Sequence, residues 1–361
     1  MDKLISLCMI VRDEEKVLAR ALDGVKDCVD EIVIVDTGSR DNTKRIAERY
    51  TDRIFDFEWC DDFAAARNFS FSKAEGEYIL WLDADDIVTE ENARLLNEFK
   101  PRLIAEKPDA VMCRYDIAFA EDGSPTYSYI RERIVRRETC PGWVGFVHEC
   151  IAPHGKIAFS LFTVRHGATE GKVRGRRNLD IYQRHIAAGA KLDNRNMFYY
   201  GRELYSNNLL LEAEAVLQKA VDTESWAVNR IEASKVLADC KIALGKRDEA
   251  LTTLFGSFRF GEPRAAVLCK IGTLFKEQRR YKEAIYWFTA ALSAKDFSAL
   301  GDFDTPESRT IIPLIELTAC YWGDGDEKRA LECHRTARSI RPDHPSVVYN
   351  EKFFRDRGLL D

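Results

Sequence analysis

Residues 78–86 read YILWLDADD, an apolar run that ends abruptly in Asp83, Asp85 and Asp86. Carboxylates this close repel one another unless a cation or a donor-rich ligand lies between them. One or two carboxylates beside substrate phosphates form the setting that Mg2+ or Mn2+ takes. The plain alternative is a solvated acidic turn before the helix that Thr89 can cap, with Glu90 and Glu91 at its positive end. An earlier run, EIVIVD, ends in Asp36. Ligands of open α/β sheets enter at the carboxyl ends of strands, so Asp36, Asp83 and Asp85 are expected along one rim. There Asp36 could accept from a base N–H or a ribose hydroxyl. Arg67 and Asn68 are candidates for a diphosphate, against the plain alternative of a surface Arg and a capping Asn.

These residues need a scaffold, and the pattern around them supplies one. Residues 4–11 and 31–36 read as buried strands, and 77–82 as a third. Val17, Leu18, Ala21, Leu22 and Val25 follow helical spacing, while residues 41–50 and 63–74 look helical and 53–57 extended. Alternating β and α elements imply a mainly parallel sheet covered on both faces. Short β-rich stretches at 111–119, 127–135 and 157–164 predict antiparallel strands completing it. Residues 167–177 (GATEGKVRGRR) have no period and read as a loop near a domain boundary at Arg177.

Beyond Arg177 the chain reads as helical and repeats itself. Gly201 and Ala213, Ala238 and Ala250, Gly272 and Ala284, and Thr318 and Ala330 are each a small residue with Ala twelve positions on. Ala220, Ser257, Ala291 and Ala337 stand seven further on, and Pro342 follows the last. The repeats start 37, 34 and 46 residues apart, the extra length lying around residues 298–308. Small residues in this register let paired antiparallel helices approach closely, as in tetratricopeptide repeats of about 34 residues.

The 361 residues suggest two or three domains at roughly 150 residues each. Hydrophobic residues make up 45% and charged residues 32%, which excludes a disordered, collagen-like or disulfide-scaffold chain. A net charge of -6 excludes nucleic-acid binding through the overall field, though not through a local patch. Two such patches are 131–137 (RERIVRR) and 172–177 (KVRGRR), which could neutralise a leaving diphosphate, grip an anionic acceptor such as DNA, or simply be solvated. No apolar run reaches the roughly 18 residues needed to span a bilayer. The N-terminus lacks a small-residue cleavage site and runs straight into acids, so a strand is expected there and not a signal peptide. The ten Cys contain no CxxC pair, and reduced thiols in a cytoplasmic protein are expected.

The segments SLCMIVRDEE, EIVIVDTGSRDNT, DDFAAARNFSF and YILWLDADD together resemble the N-terminal half of family 2 glycosyltransferases with the GT-A fold, over residues 4–170. The resemblance implies inverting transfer from a nucleotide-sugar, by family habit a UDP-sugar, with Mn2+ or Mg2+. It places Val11, Glu14, Asp36, Arg67, Asp83 and Ala84 around the nucleotide, with Asp36 at the base and Asp83 at the ribose or metal. It makes Asp85 a metal ligand. Arg12-Asp13-Glu14 departs from the family's usual Asn-x-Glu or Lys-Asn-Glu. GWVGFVHE at 142–149 resembles the glycine loop and acidic motif of GT-A enzymes, and Glu149 then fits the base that takes the acceptor proton. Its plain alternative is an edge-strand Glu paired with Arg133 or Arg136. His166 corresponds to the His that often completes the metal shell and is preferred to His148; His185 is expected to be structural.

A GT-A domain over residues 1–177 followed by tetratricopeptide-like repeats over 178–361 resembles bacterial and phage glycosyltransferases, including the sublancin-type peptide S-glycosyltransferases. The expected function is sugar transfer to an acceptor, a peptide or protein side chain first, with an envelope glycan or a modified DNA base as alternatives. The repeats would form an acceptor groove or a homodimer interface. The non-enzyme alternative is a repeat scaffold carrying an inactive GT-A domain.

Overall fold

The computed structural model describes residues 3–119, 123–167, 175–297, 301 and 303–360. The chain divides into two compact units, Met1–Lys191 and Leu192–Asp361. The first contains β1 (Ile5–Val11), α1 (Leu18–Asp23), β2 (Glu31–Asp36), α2 (Thr43–Ala47), β3 (Ile54–Asp56), α3 (Phe63–Ser72), β4 (Tyr78–Trp81), β5 (Asp86–Ile87), α4 (Glu90–Glu106), β6 (Ala110–Phe119), β7 (Pro125–Arg136), β8 (Ile157–His166) and α5 (Arg177–Ala187). The helices expected at 41–50 and 63–74 are shorter than their patterns, because polar turns close both ends. Asp62 caps α3 by accepting from Ala65 N–H at 2.8 Å, and Thr89 caps α4 as expected.

The strands form one sheet in the order β3-β2-β1-β4-β7-β6-β8-β5. β1 runs parallel to both β2 and β4, with Val11 level with Asp36 and Cys8 level with Trp81. The predicted antiparallel completion is β7 against β4 and β6, while β8 returns parallel to β6. Side-chain alternation divides the sheet between two cores. Ile5, Leu7 and Met9 of β1 and Leu80 of β4 pack with Leu18 and Leu22 of α1 and Leu96, Phe99 and Leu103 of α4. Cys8, Val33, Ile79 and Trp81 face the other way, against Ala64 and Phe71 of α3 and against Trp143. The three parallel strands β1, β2 and β4 therefore end at the same edge, and the polar residues that follow them meet there.

The division after Lys191 keeps α5 in the first unit, beyond the boundary expected at Arg177. The reason is local: α5 buries Leu179, Ile181 and Tyr182. Part of the loop expected at 167–177, including Lys172, lies outside the described residues, as does part of the 298–308 loop.

The second unit is helical. It pairs α6 (Asn194–Ser206) with α7 (Leu210–Thr223), α8 (Ala227–Ala243) with α9 (Arg247–Gly256), α10 (Ala265–Glu277) with α11 (Tyr281–Leu292), and α12 (Ile311–Asp324) with α13 (Glu327–Ile340), before α14 (Pro345–Arg355). Every small residue of the twelve-and-seven register is buried. Pro342 lies in the turn between α13 and α14. The close approach is visible at Gly272, where an added Cβ would stand 2.9 Å from the ring of buried Phe288. Gly272→Ala would gain about 1 kcal/mol of helix propensity. Overpacking costs about 1–3 kcal/mol, so a net loss of about 1 kcal/mol is expected in denaturant unfolding of the full chain. A more stable variant would contradict this packing.

Candidate active site

A cavity of about 870 Å³ opens at the edge where β1 and β4 end. Val11, Arg12, Asp13 and Glu14 line it after β1, and Asp83, Ala84 and Asp85 after β4. Arg67 of α3, His148 and Glu149 of the 142–149 loop, and His166 at the end of β8 complete the walls. Of the residues expected around a nucleotide, Val11, Glu14, Arg67, Asp83 and Ala84 therefore share one space, and Asp85, His166 and Glu149 share it with them. Asp36 does not line it. Its Oδ1 accepts from the N–H groups of Gly38 and Ser39 at 2.9 and 2.8 Å, closing the turn after β2, while its buried Oδ2 has no hydrogen-bond partner among the described residues.

The three carboxylates after β4 have different surroundings. Asp86 is fully buried: Tyr115 donates to its Oδ1 at 2.8 Å, and Arg133 and Asp83 N–H both donate to its Oδ2 at 2.9 Å. Burial pushes its carboxyl upward, with Arg133 opposing and Asp83 adding to the rise. Burial, then Asp86, also keeps Tyr115 a neutral donor far above the ordinary phenol range. The Tyr115 hydroxyl lies 3.1 Å from His166 Nδ1, which is 3.7 Å from Asp85 Oδ1. Among the described residues, Asp85, Asp86 and His166 offer ligand atoms within 4.8 Å of one another. A carboxylate and an imidazole open to the cavity, Asp85 and His166, suit Mn2+ or Mg2+ beside substrate phosphates, so these donors fit a divalent cation. Asp85 and His166 reach the cavity, whereas Asp86 stands behind them.

Asp83, expected as a metal ligand, lies outside that cluster and faces α3. Arg67 Nη2 donates to Asp83 Oδ1 at 2.7 Å, and Arg67 Nε donates to Glu149 Oε1 at 2.7 Å. Burial raises the Asp83 carboxyl, but Arg67, Arg133 and Arg131 outweigh it and bring the group down to about 2. Arg67 is itself pulled two ways: burial disfavours its charge, and Asp83 and Glu149 more than restore it. Glu149 therefore pairs with Arg67 and not with Arg133 or Arg136.

The loop carrying Glu149 is fixed to α3. Asn68, considered above for a diphosphate, instead receives Trp143 N–H at 2.8 Å and donates to Trp143 C=O at 2.9 Å. Phe63 N–H donates to Phe146 C=O at 3.0 Å. His148 takes a left-handed backbone at φ 53°. It lines the cavity without joining the cation cluster.

The RERIVRR run is not a basic patch. It lies on β7, where successive side chains alternate faces. Arg133 is fully buried, Arg131 stacks 4.4 Å over Trp81, Arg136 pairs with Glu138, and Arg137 donates to Gly76 C=O. Arg177, from the KVRGRR run considered for a diphosphate, also lines the cavity, and residues not singled out in the sequence join it: Trp59 and Asp61 before α3, Phe63 at its start, and Asn178 and Arg184 of α5. Arg184 donates to both Asp61 oxygens, at 2.6 and 2.9 Å. His185 contacts Asp61 C=O at 2.9 Å and stacks on Phe146. The acidic and aromatic residues in DDFAAARN and the basic end of KVRGRR at Arg177 were signals for this wall; nothing in the helical pattern pointed to Asn178 or Arg184.

An open α/β sheet with a cation-competent, carboxylate-lined cavity at its carboxyl edge defines a ligand-binding α/β domain. Residues 6–159 match the glycosyl transferase family 2. The chain carries a family 2 glycosyltransferase domain followed by tetratricopeptide-like helical repeats. It is similar to a TPR repeat-containing protein of Synechococcus elongatus, 52% identical over 82 residues, which are 23% of this chain and 20% of that protein. It is also similar to the SPbeta prophage-derived glycosyltransferase SunS of Bacillus subtilis, 26% identical over 232 residues, 60% of this chain and 53% of SunS. An uncharacterized glycosyltransferase of Rickettsia felis is 33% identical over 87 residues, 24% of this chain and 30% of its own length. The chain thus spans about half, or less, of these relatives. Among the described residues no helix is long and apolar enough to cross a membrane, and none of the ten cysteines forms a disulfide.

Asp85 and Asp86 are neighbours with different expected effects on stability. Asp86→Ala leaves buried Arg133 without its carboxylate and is expected to cost about 3–5 kcal/mol in denaturant unfolding. Asp85→Ala leaves the Arg133 pair intact and is expected to cost clearly less than Asp86→Ala. Equal stability of the two variants would contradict the pairing of Arg133.

Proposed function

We propose that this chain is an inverting, metal-dependent glycosyltransferase that moves a sugar from a nucleotide-sugar, a UDP-sugar by family habit, to a polypeptide side chain. The observation that carries the reading is one cavity holding a cation-competent cluster and, across Arg67, the carboxylate of Glu149, within a family 2 domain. Val11, Glu14 and Ala84 line the part assigned to the nucleoside. Asp83 is assigned to the ribose. Asp85 and His166 would hold the cation, with Tyr115, itself donating to Asp86, against His166 Nδ1. A bound Mn2+ or Mg2+ would offset the charge that develops on the leaving diphosphate.

Glu149 takes the acceptor's proton as the acceptor oxygen or sulfur bonds to the anomeric carbon. The bond from that carbon to the diphosphate oxygen breaks, and its electron pair leaves with the nucleoside diphosphate. Attack from the face opposite the leaving group inverts the anomeric centre. A polypeptide acceptor is favoured by the resemblance to peptide S-glycosyltransferases and by the repeats, since helical solenoids mostly present extended surfaces to polymers. A nucleic-acid acceptor loses support because the RERIVRR arginines are buried or paired. The scaffold alternative is weakened by the retention of both cation donors and the facing carboxylate in one cavity.

Two substitutions test the assignments. Asp85→Ala is expected to abolish metal-dependent transfer, with chelation of the wild type giving the same loss; transfer at the wild-type rate would remove the cation from the account. Glu149→Gln keeps shape but cannot take a proton, so transfer is expected to fall about 10²- to 10⁴-fold while nucleotide-sugar binding persists. An equal loss of nucleotide affinity would move Glu149 to the donor side.

A further inference from the structure

The Arg67 side chain touches both sides of the proposed reaction centre. Its guanidinium reaches Asp83 Oδ1 through Nη2 and Glu149 Oε1 through Nε, each at 2.7 Å. Its side chain is only 9% exposed, so little of it is left to meet a diphosphate directly. The Trp81 and Trp143 rings lie 5.1 and 4.8 Å from the guanidinium carbon, and they meet each other edge-on at 4.8 Å and 82°. Two aromatic walls thus restrict the guanidinium, while Asn68, one residue along α3, holds Trp143 by its backbone. The planar fork can serve two carboxylates at once, which a lysine ammonium, as a point charge, does poorly.

We propose that Arg67 is a positioning residue that acts through Glu149. It fixes the orientation of the base carboxylate and ties it to Asp83, so that base and donor site are held as one rigid unit. The proposal rests on the reading of Glu149 as the base. Glu149 sits on a loop with left-handed backbone at Gly142, Gly145 and His148. Without the Arg67 hydrogen bond its carboxylate can turn away from the acceptor. A displacement of about 1 Å at a reacting group can cost about 10²-fold in rate.

The test is a double-mutant cycle on the full chain, with kcat and donor KM for transfer measured for the wild type, Arg67→Lys, Glu149→Gln and the double variant. Thermal unfolding confirms that each is folded. Arg67→Lys is expected to lower kcat about 10²-fold in the wild-type background. In the Glu149→Gln background the same change is expected to lower kcat little further, because residues acting as a unit are not additive. An effect routed through Asp83 would appear instead as a raised donor KM in both backgrounds. A wild-type kcat for Arg67→Lys, or an equal loss in both backgrounds, overturns the proposal. If Glu149→Gln is itself silent, the base assignment fails first, and that result is distinct. Should Arg67→Lys not fold, Arg67→Gln enters the same cycle, since it also cannot bridge both carboxylates.

Discussion

Three carboxylates within four residues, at the end of a buried strand, create a repulsion that the rest of the first unit must answer. The answer is built around Trp81, the last residue of β4. Its ring has Arg67, Arg131 and Arg133 at 5.1, 4.4 and 4.0 Å. Arg133 compensates Asp86 from behind the sheet edge, and Arg67 compensates Asp83 from α3. Asp85 faces the cavity, beside His166. The local electrostatics thus assign three adjacent acids three different tasks.

The same arrangement explains why the cavity has two chemically different walls. Tyr115, Asp86 and His166 form a chain of contacts on the β8 side, whose N/O donors suit a hard cation. On the other side Glu149 hangs from a loop pinned to α3 through Asn68 and Phe63. Arg67 stands between the walls. On the proposed reading these walls supply a cation site and a proton acceptor, which displacement of a diphosphate by a protonated nucleophile requires.

Much of this was legible in the sequence. Apolar runs ending in Asp gave the strands and their common edge, because a parallel sheet buried on both faces leaves few polar residues along its strands. The small-residue register of the repeats was readable because close helix approach permits so few side chains at Gly201 or Gly272. What was hidden depends on pairing across the fold. The role of Asp86 follows from Tyr115 and Arg133, whose strands carry no local mark of a buried ion pair. RERIVRR looked like a basic patch because a one-dimensional charge count ignores the two-residue alternation of a strand. Asn68 looked like a ligand because its backbone partner, Trp143, lies 75 positions away. The place of α5 in the first unit was missed because its helical pattern matches that of the repeats.

The central claim is that one nucleotide-sugar and one divalent cation bind together in this cavity. Thermal unfolding of the full chain with a panel of nucleotide-sugars, with and without Mn2+, tests it most directly. A ligand at 100 times its dissociation constant adds about 2.7 kcal/mol of stability. At least one nucleotide-sugar is expected to raise the unfolding temperature strongly with Mn2+ and weakly without it, and that difference is expected to vanish in Asp85→Ala. Stabilisation that is the same with and without Mn2+, or the same in Asp85→Ala as in the wild type, would contradict it.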